Sequence, residues 1–544
     1  GNLKMDELQQ DVGRLAAHYH NNGYIDAKIA DPEIDIREKW IYITFKIEEG
    51  QRFKVGRVDM AGDLLKNKEE QTRMLKIVPG DYFNRSLVRQ DMLALNDLYA
   101  DQGYFYADIV PETEKDTEKQ TVDINYVIKK GGLVYFDNIL ITGNTKTRDK
   151  VIRRELDVYE QELFSGKRLK KSIYRLYRLD YFNPAEMKID TVETGDDNTV
   201  DLKIAVSEKP TGTLSFGGGY SSSEDLFAMA SVSQQNLFGR GQILQIQAEV
   251  GGTSTQYKLS FTEPWLFDIP LSAGFDLYDW QVDYDTYDSK ATGGGLRFGY
   301  PIFENTRLYL SNTYEKNRIT NTSIFTPESI RLGDDRNITS SVSSSLRYDT
   351  RNRVINPSEG SNHRLTIEKA GGFLGGDIAF TKYTAEVAWY TPLFWKFIGL
   401  LHSEGGYVTG SSEGYLPDYE RFYLGGINSL RGFGWRDINL KEDDDGDGVI
   451  TERGGDKYVQ FNLEFLVPLF DENIGLVGLL FADAGNVYDK NDVIETGTFR
   501  ESAGFGIRWN SPMGPIRLER GYILDPQDDE SSSGRWEFTM GAAF

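Results

Sequence analysis

From Thr211 to Phe544 apolar residues recur at every second position, and nowhere does the chain hold an apolar run long enough to cross a membrane as a helix. The longest run, Ile474 to Ala482, covers nine residues, against about 20 for a spanning helix. Leu244, Ile246, Ala248 and Val250 alternate with Gln245, Gln247 and Glu249. Tyr383, Ala385, Val387 and Trp389 alternate with Thr384, Glu386 and Ala388, and Val459, Phe461, Leu463 and Phe465 with Gln460, Asn462 and Glu464. At the end of the chain Trp536, Phe538, Met540, Ala542 and Phe544 oppose Glu537, Thr539, Gly541 and Ala543. A period of two puts successive side chains on opposite faces of a strand, so one face of this half requires an apolar environment. Taken one strand at a time, a soluble sandwich meets that requirement as well as a membrane barrel does. Aromatic residues at strand ends, Gly/Asp/Ser-rich connections of uneven length and a final strand ending on Phe544 favour lipid outside and a polar lumen inside. Dividing residues 211–544 among sixteen antiparallel strands leaves about 21 residues per strand and turn, ample for spans of about 9–11; fourteen or eighteen strands fit the same arithmetic.

The first half has a different grammar. Residues 1–210 carry 13 of the 55 glycines, half the density of the remainder, which places a domain boundary near Pro210. This half repeats itself. Asn22-Gly23-Tyr24, Gln102-Gly103-Tyr104 and Leu179-Asp180-Tyr181 each follow a helix-like segment, at spacings of 80 and 77 residues. Gly50 and Gly62 recur as Gly131 and Gly143, displaced by 81. Each unit reads strand, helix, helix, strand, strand, with helices marked by Leu87, Asp91, Leu95 and Leu98 and by Leu169, Ile173, Leu176 and Leu179. The expected organisation is a partial repeat over 1–49, repeats over 50–130 and 131–210, and a barrel over 211–544. Residues 1–49 read as only the back part of a unit, so further repeats are expected upstream, and an export signal is expected to have been removed or to lie outside this sequence.

Lys and Arg total 61 against 84 Asp and Glu, a net charge of −23. No basic excess exists to displace counterions from a phosphate backbone, which argues against nucleic acid as a partner. Zero Cys removes thiolate metal sites, Cys nucleophiles and disulfides. His18, His20, His363 and His402 lack metal-ligand spacing, and no hydrolase elbow, complete phosphate loop or dinucleotide fingerprint occurs. The expectation is that the chain is not an enzyme and requires no cofactor. One acidic run carries chemistry: Asp443, Asp445 and Asp447 with the Val449 carbonyl match the first part of a calcium loop, and Gly448 follows Asp447. Position twelve of that loop is Gly454 rather than Glu. A complete EF-hand is excluded, and a shorter calcium loop over 443–452 competes with a solvated acidic loop.

Several motifs together carry a family resemblance. Gly143-Asn144, Val151-Ile152-Arg153-Arg154-Glu155 and Arg178-Leu179-Asp180-Tyr181-Phe182 are similar to a barrel-proximal POTRA domain. Phe261-Thr262-Glu263-Pro264-Trp265-Leu266 and Tyr348-Asp349-Thr350-Arg351-Asn352, with Pro357 and Gly360, are similar to barrel signatures, and Gly425-Gly426 through Leu430-Arg431-Gly432-Phe433 is similar to an Arg-Gly-Phe loop tip. The whole chain resembles the BamA family of outer-membrane β-barrel assembly insertases. That resemblance implies α+β POTRA repeats in the periplasm and a sixteen-strand barrel in the bacterial outer membrane. It implies unfolded outer-membrane proteins as clients, with outer-membrane lipid, periplasmic accessory lipoproteins and chaperones as partners. It also implies that Arg431, Gly432 and Phe433 fold into the lumen, where Glu464 and Asp483 receive the arginine. An arginine inside a barrel needs such carboxylates, and Glu464 shares the lumenal parity of Gln460 and Asn462. The resemblance further implies a weak seam between the first and last strands, a lateral gate formed by Gly217, Gly218 and Gly219 with Phe538 and Phe544. Three glycines supply no cross-strand side-chain contacts there; alternatively they relieve crowding where the strands bend. Rival readings are a TamA-like translocation subunit, a two-partner polypeptide secretion pore and a passive porin.

Overall fold

The computed structural model describes residues 4–540 except 38–39, 197, 222–224, 332–336, 355, 413, 443–447, 471–474, 512–513, 528–529 and 531–533. It divides into two compact units, Gly1–Lys209 and Pro210–Phe544.

The first unit is built from repeats. One runs through strand Lys54–Gly62, helices Lys68–Thr72 and Arg85–Asp101, and strands Asp108–Asp116 and Thr121–Lys129. The next runs through strand Tyr135–Thr142, helices Asp149–Arg153 and Gly166–Leu179, and strands Lys188–Glu193 and Thr199–Ala205. In each, the last strand lies in the middle of the sheet, parallel to the first strand and antiparallel to the strand that precedes it. The long helices start where Asn84 and Ser165 accept hydrogen bonds from the backbone N–H of Leu87 and Arg168, satisfying donors that the helix itself leaves free. Val122, Ile124, Tyr126 and Ile128 alternate into one core against Leu95 and Tyr99. Asp91 keeps the spacing of the helix's inner stripe without being apolar, because its carboxylate accepts from the backbone N–H of Lys76 at 2.8 Å and Ile77 at 3.0 Å. The recurring turn after each long helix has a shared task. Gly23 O accepts from Phe53 N at 2.8 Å, Gly103 O from Val134 N at 2.9 Å and Tyr181 O from Lys209 N at 3.0 Å. Residues 4–49 hold the helix Met5–Asn21 followed by two small antiparallel pairs, Glu33–Arg37 with Trp40–Thr44 and Lys28–Ile29 with Ile47–Glu48.

Glu208 fastens the end of the last full repeat. Its carboxylate receives Thr147 N at 2.6 Å, Lys146 N at 2.9 Å and Thr145 Oγ1 at 2.8 Å. Burial pushes this carboxyl upward, but the hydrogen bonds from Thr147, Thr145 and Lys146 outweigh it and hold the pKa at about 2. Because the folded value lies below the unfolded one, the contribution to stability is complete above about pH 4.5 and is lost as pH falls towards about 2. Glu208→Gln should cost about 1–2 kcal/mol at neutral pH and flatten the urea midpoint of the repeat unit between about pH 5 and about pH 3. An unchanged acid slope would show that other carboxylates set it.

The second unit is a barrel of sixteen antiparallel strands in chain order, from Gly212–Ser221 to Arg535–Met540. Among the described residues no helix is long and apolar enough to cross a membrane. The alternating faces divide as the period requires: Ile246, Val250 and Trp389 are at least half exposed on the outside, while Gln460, Asn462 and Glu464 are buried inside. The lumen is not polar throughout. Ala388, Leu400, Leu466, Leu479 and Phe481 form a buried apolar cluster at lumenal positions. The expectation of a polar interior is corrected there because these side chains pack beneath a charged cluster, with the Phe481 ring 3.7 Å from the Arg431 guanidinium. Between the eleventh strand, Ile398–Gly410, and the twelfth, Lys457–Pro468, lies a long loop whose Leu424, Leu430, Phe433 and Ile438 pack against Tyr458 and Val487 inside the barrel.

Candidate functional site

The tip of that loop is made from side chains that only a barrel interior brings together. Arg431 is 2% exposed and all three of its guanidinium nitrogens are engaged. Its Nε donates to Asp483 at 2.7 Å, Nη2 to Asp483 at 2.5 Å, and Nη1 to Glu464 at 2.6 Å and to Glu519 at 2.9 Å. The backbone N–H of Arg431 also donates to Asp483, at 3.0 Å. The carboxylates belong to strands Lys457–Pro468, Leu476–Tyr488 and Gly514–Ile523, so one arginine ties three strands to the loop. Two further guanidiniums complete the cluster. Arg508 bonds Glu464 at 2.7 and 2.8 Å and Glu519 at 2.9 Å, and Arg517 bonds Glu519 at 2.9 Å. Three carboxylates therefore face three guanidiniums, the balance that lets ions remain charged away from water.

Neighbouring residues hold the rest of the tip. Asn462 donates to Ser429 O at 2.8 Å, and Arg517 reaches Asn428 at 2.7 Å and Ile427 O at 2.9 Å. Gly432 has φ +94°, and a Cβ there would lie 3.0 Å from the Gly521 backbone, so both the turn and the close passage require glycine. Phe433 is 1% exposed and packs with Leu424, Leu430, Ile438, Tyr458 and Val487.

The structure thus brings Arg431, Glu464 and Asp483 together. Glu519, Arg508 and Arg517 were missed from sequence, although Arg517 and Glu519 alternate with Ile516 and Leu518 and so carried the signal of an inward charged face. A second anchor was also missed. Trp435 stacks on Tyr284 with centroids 5.7 Å apart, and the Arg436 guanidinium lies 3.5 Å from the Tyr423 ring, 4.7 Å from that of Tyr284 and 3.6 Å from the buried Asp418. Tyr284 belongs to the connection after the fifth strand, Ser272–Asp283, so the loop is held against both early and late strands.

The seam is the other half of the site. Among the described residues the first and last strands share one register pair, Ser221 with Thr539. The neighbouring junction, between Gly514–Ile523 and the last strand, runs six positions from Ile516↔Met540 to Gly521↔Arg535. On its other edge the first strand pairs Gly217, Gly218 and Gly219 with Met229, Ala228 and Phe227 of the second strand, and residues 541–544 at the end of the last strand lie outside the described residues. Phe538 stacks on Tyr220 at 6.2 Å, and Phe544 lies outside the described residues. Gly219 has a steric role as well. A Cβ there would lie 1.8 Å from Met540 O and 2.7 Å from the Phe227 ring, so the last strand crosses the inner face of the first where only glycine leaves room. Gly219→Ala should push the last strand away and lower the melting temperature in detergent by several degrees, equivalent to about 1–3 kcal/mol of overpacking. Unchanged melting would mean that Met540 moves aside freely.

Asp443, Asp445 and Asp447 lie outside the described residues, and Val449 is the one of the four candidate calcium ligands within them.

Comparison with known sequences and structures places these features. The family described as Omp85 superfamily domain matches residues 236–544, and POTRA, described as a surface antigen variable number repeat, matches 1–50, 53–131 and 134–209. The outer membrane protein assembly factor BamA of Nitratidesulfovibrio vulgaris is 33% identical, over 100% of this chain and 69% of its own length. The protein of the same name from Neisseria meningitidis is 30% identical, over 99% of this chain and 73% of its own. The crystal structure of BamA from Haemophilus ducreyi lacking POTRA domains 1–3 superposes with a TM-score of 0.68 at 23% identity, covering 90% of this chain and 99% of that one, a likeness of fold. With POTRA repeats, a sixteen-strand barrel and matches that run the length of the sequence, the chain belongs to the BamA family of the Omp85 superfamily.

Proposed function

We propose that this protein assembles β-barrel proteins into the bacterial outer membrane by offering the edge of its first barrel strand to an incoming strand. The observation that carries the reading is that, among the described residues, a single register pair, Ser221 with Thr539, closes the barrel. Among the described residues a ladder this short offers main-chain donors and acceptors of the first strand to another strand, the chemistry of strand addition to an exposed edge. Relatives named as outer membrane protein assembly factors support it. The repeats lie in the periplasm in this reading, where the edge strands Asp108–Asp116 and Lys188–Glu193 receive unfolded clients, chaperones or accessory lipoproteins by the same strand addition. The activity is non-enzymatic, with no nucleotide and no obligatory metal: folding of the client and burial of its apolar face in lipid supply the free energy. If the 443–452 loop takes up calcium, the ion orders the loop and does no chemistry.

Reconstitution tests the whole reading. Liposomes containing the protein should fold a urea-unfolded outer-membrane barrel faster than protein-free liposomes of the same lipid, read by the shift of the folded client on unheated gels. Equal rates would overturn it.

A further inference from the structure

The apolar cluster beneath Arg431 borders a cavity of about 310 Å³. Its mouth is formed by turns that lead from even-numbered barrel strands to the next, which places it at the end of the lumen where Pro210 enters. Tyr390, Leu400, Leu466 and Val477, on strands ten to thirteen, wall it with one aromatic and three aliphatic side chains. Apolar walls that face an aqueous lumen are better covered by something other than water, and the volume is that of a small-ligand site.

Two observations decide what fits. The first is charge. In a chain with 84 acidic and 61 basic residues, the cavity is lined by Arg353, Lys396 and Arg508 and, among the described residues, by no carboxylate. Arg508 is committed to Glu464 and Glu519. Lys396, in the exposed turn at the mouth, has no hydrogen bond or ion pair among the described residues. The second observation is the backbone. Leu400 pairs with Tyr390 and with Glu464, and Pro468 with Val477, so the main chain around the cavity is spent on barrel ladders and offers an extended peptide no strand to join. A hydrocarbon chain asks for no hydrogen bond.

We propose that the cavity binds one fatty acid, its acyl chain lying along Leu400 and Leu466 and its carboxylate held at the mouth by Lys396 and Arg353. The charge stays at the wet end, where pairing does not require it to be buried, while the chain displaces water from the apolar walls. The acyl chain then fills the space beside strands twelve and thirteen, which carry Glu464 and Asp483, the partners of Arg431. The site needs a folded barrel and no client, so it is tested apart from any assay of assembly.

The test uses the full chain in phosphatidylcholine nanodiscs with hexadecanoic acid that carries a diazirine near its methyl end, and maps the photolabelled residues by mass spectrometry. Strand parity supplies the control: Tyr390, Leu400 and Leu466 lie on the inward face, whereas Trp389, Leu401 and Phe465 are exposed on the outward one and report the surrounding lipid. Inward residues should be labelled, and excess unlabelled hexadecanoate should compete where its methyl ester does not. K396E should lower the inward label about fivefold, by replacing an attraction with a repulsion, and leave the outward label unchanged. Label confined to the outward residues of the parent would overturn the proposal. Inward label that the methyl ester competes equally well would overturn it too, because the site would then not select a carboxylate.

Discussion

A disulfide between positions 221 and 539 should stop client insertion, and its reduction should restore it. Opposed residues of an antiparallel pair have Cα atoms about 4.5–5.5 Å apart, inside the range of about 4.4–6.8 Å that a disulfide spans. Ser221 and Thr539 are such a pair, and Thr539 Oγ1 has no hydrogen-bond partner among the described residues, so its replacement by Cys forfeits none. The parent has no Cys, which makes S221C/T539C the sole disulfide-forming pair. Under oxidising conditions the double variant should fold clients no faster than empty liposomes do, and a reductant should return the parent rate. Each single variant should work in both conditions. An oxidised double variant that inserts clients at the parent rate would rule out opening of this seam as the mechanism. The outcome separates the two roles of the glycines: a seam that must open is inactivated by locking, whereas glycines that merely make room at a bend leave a locked barrel active.

Arg431→Ala should be the most destabilising single truncation in the loop. Glu464 and Glu519 keep Arg508, and Glu519 also keeps Arg517, whereas Asp483 would retain Asn462 as its side-chain partner and lose both guanidinium bonds. Breaking a buried pair from one side typically costs about 3–5 kcal/mol, and the remaining amide bond to Asp483 puts the expected value near about 3. Arg431→Lys should recover little, since one ammonium cannot present the planar fork that reaches three carboxylates. Asp483→Asn combined with Arg431→Ala should recover about half of the loss by removing the orphaned charge. Thermal unfolding in detergent, followed on unheated gels, measures all three against the parent. A melting temperature for Arg431→Ala within a degree of the parent would mean that the loop tip leaves the lumen at little cost. Client insertion should fall in the same order as stability, because the tip holds strands twelve, thirteen and fifteen on the late side of the seam.

Much of this protein was determined locally. Alternation of Val459, Phe461, Leu463 and Phe465 with Gln460, Asn462 and Glu464 assigns each side chain to a face without reference to any other strand. The same locality put Glu464 on an inward-facing position, where an arginine entering the barrel needs a carboxylate, while the family resemblance supplied the loop's entry and the second partner, Asp483. What tertiary structure decided was the level at which inward residues meet. Glu519 shares Arg431 with Glu464 and Asp483 although it lies 88 residues away, and Trp435 reaches Tyr284 across the lumen. These partners depend on strand stagger and tilt, which accumulate around the closed sheet and leave no trace in the period of any single strand. The seam shows the same division. Gly217, Gly218 and Gly219 announced a weak strand, but the meeting of Ser221 with Thr539 and the passage of Met540 over Gly219 are properties of closure. Closure is settled only when the accumulated stagger of all sixteen strands sets the last edge against the first.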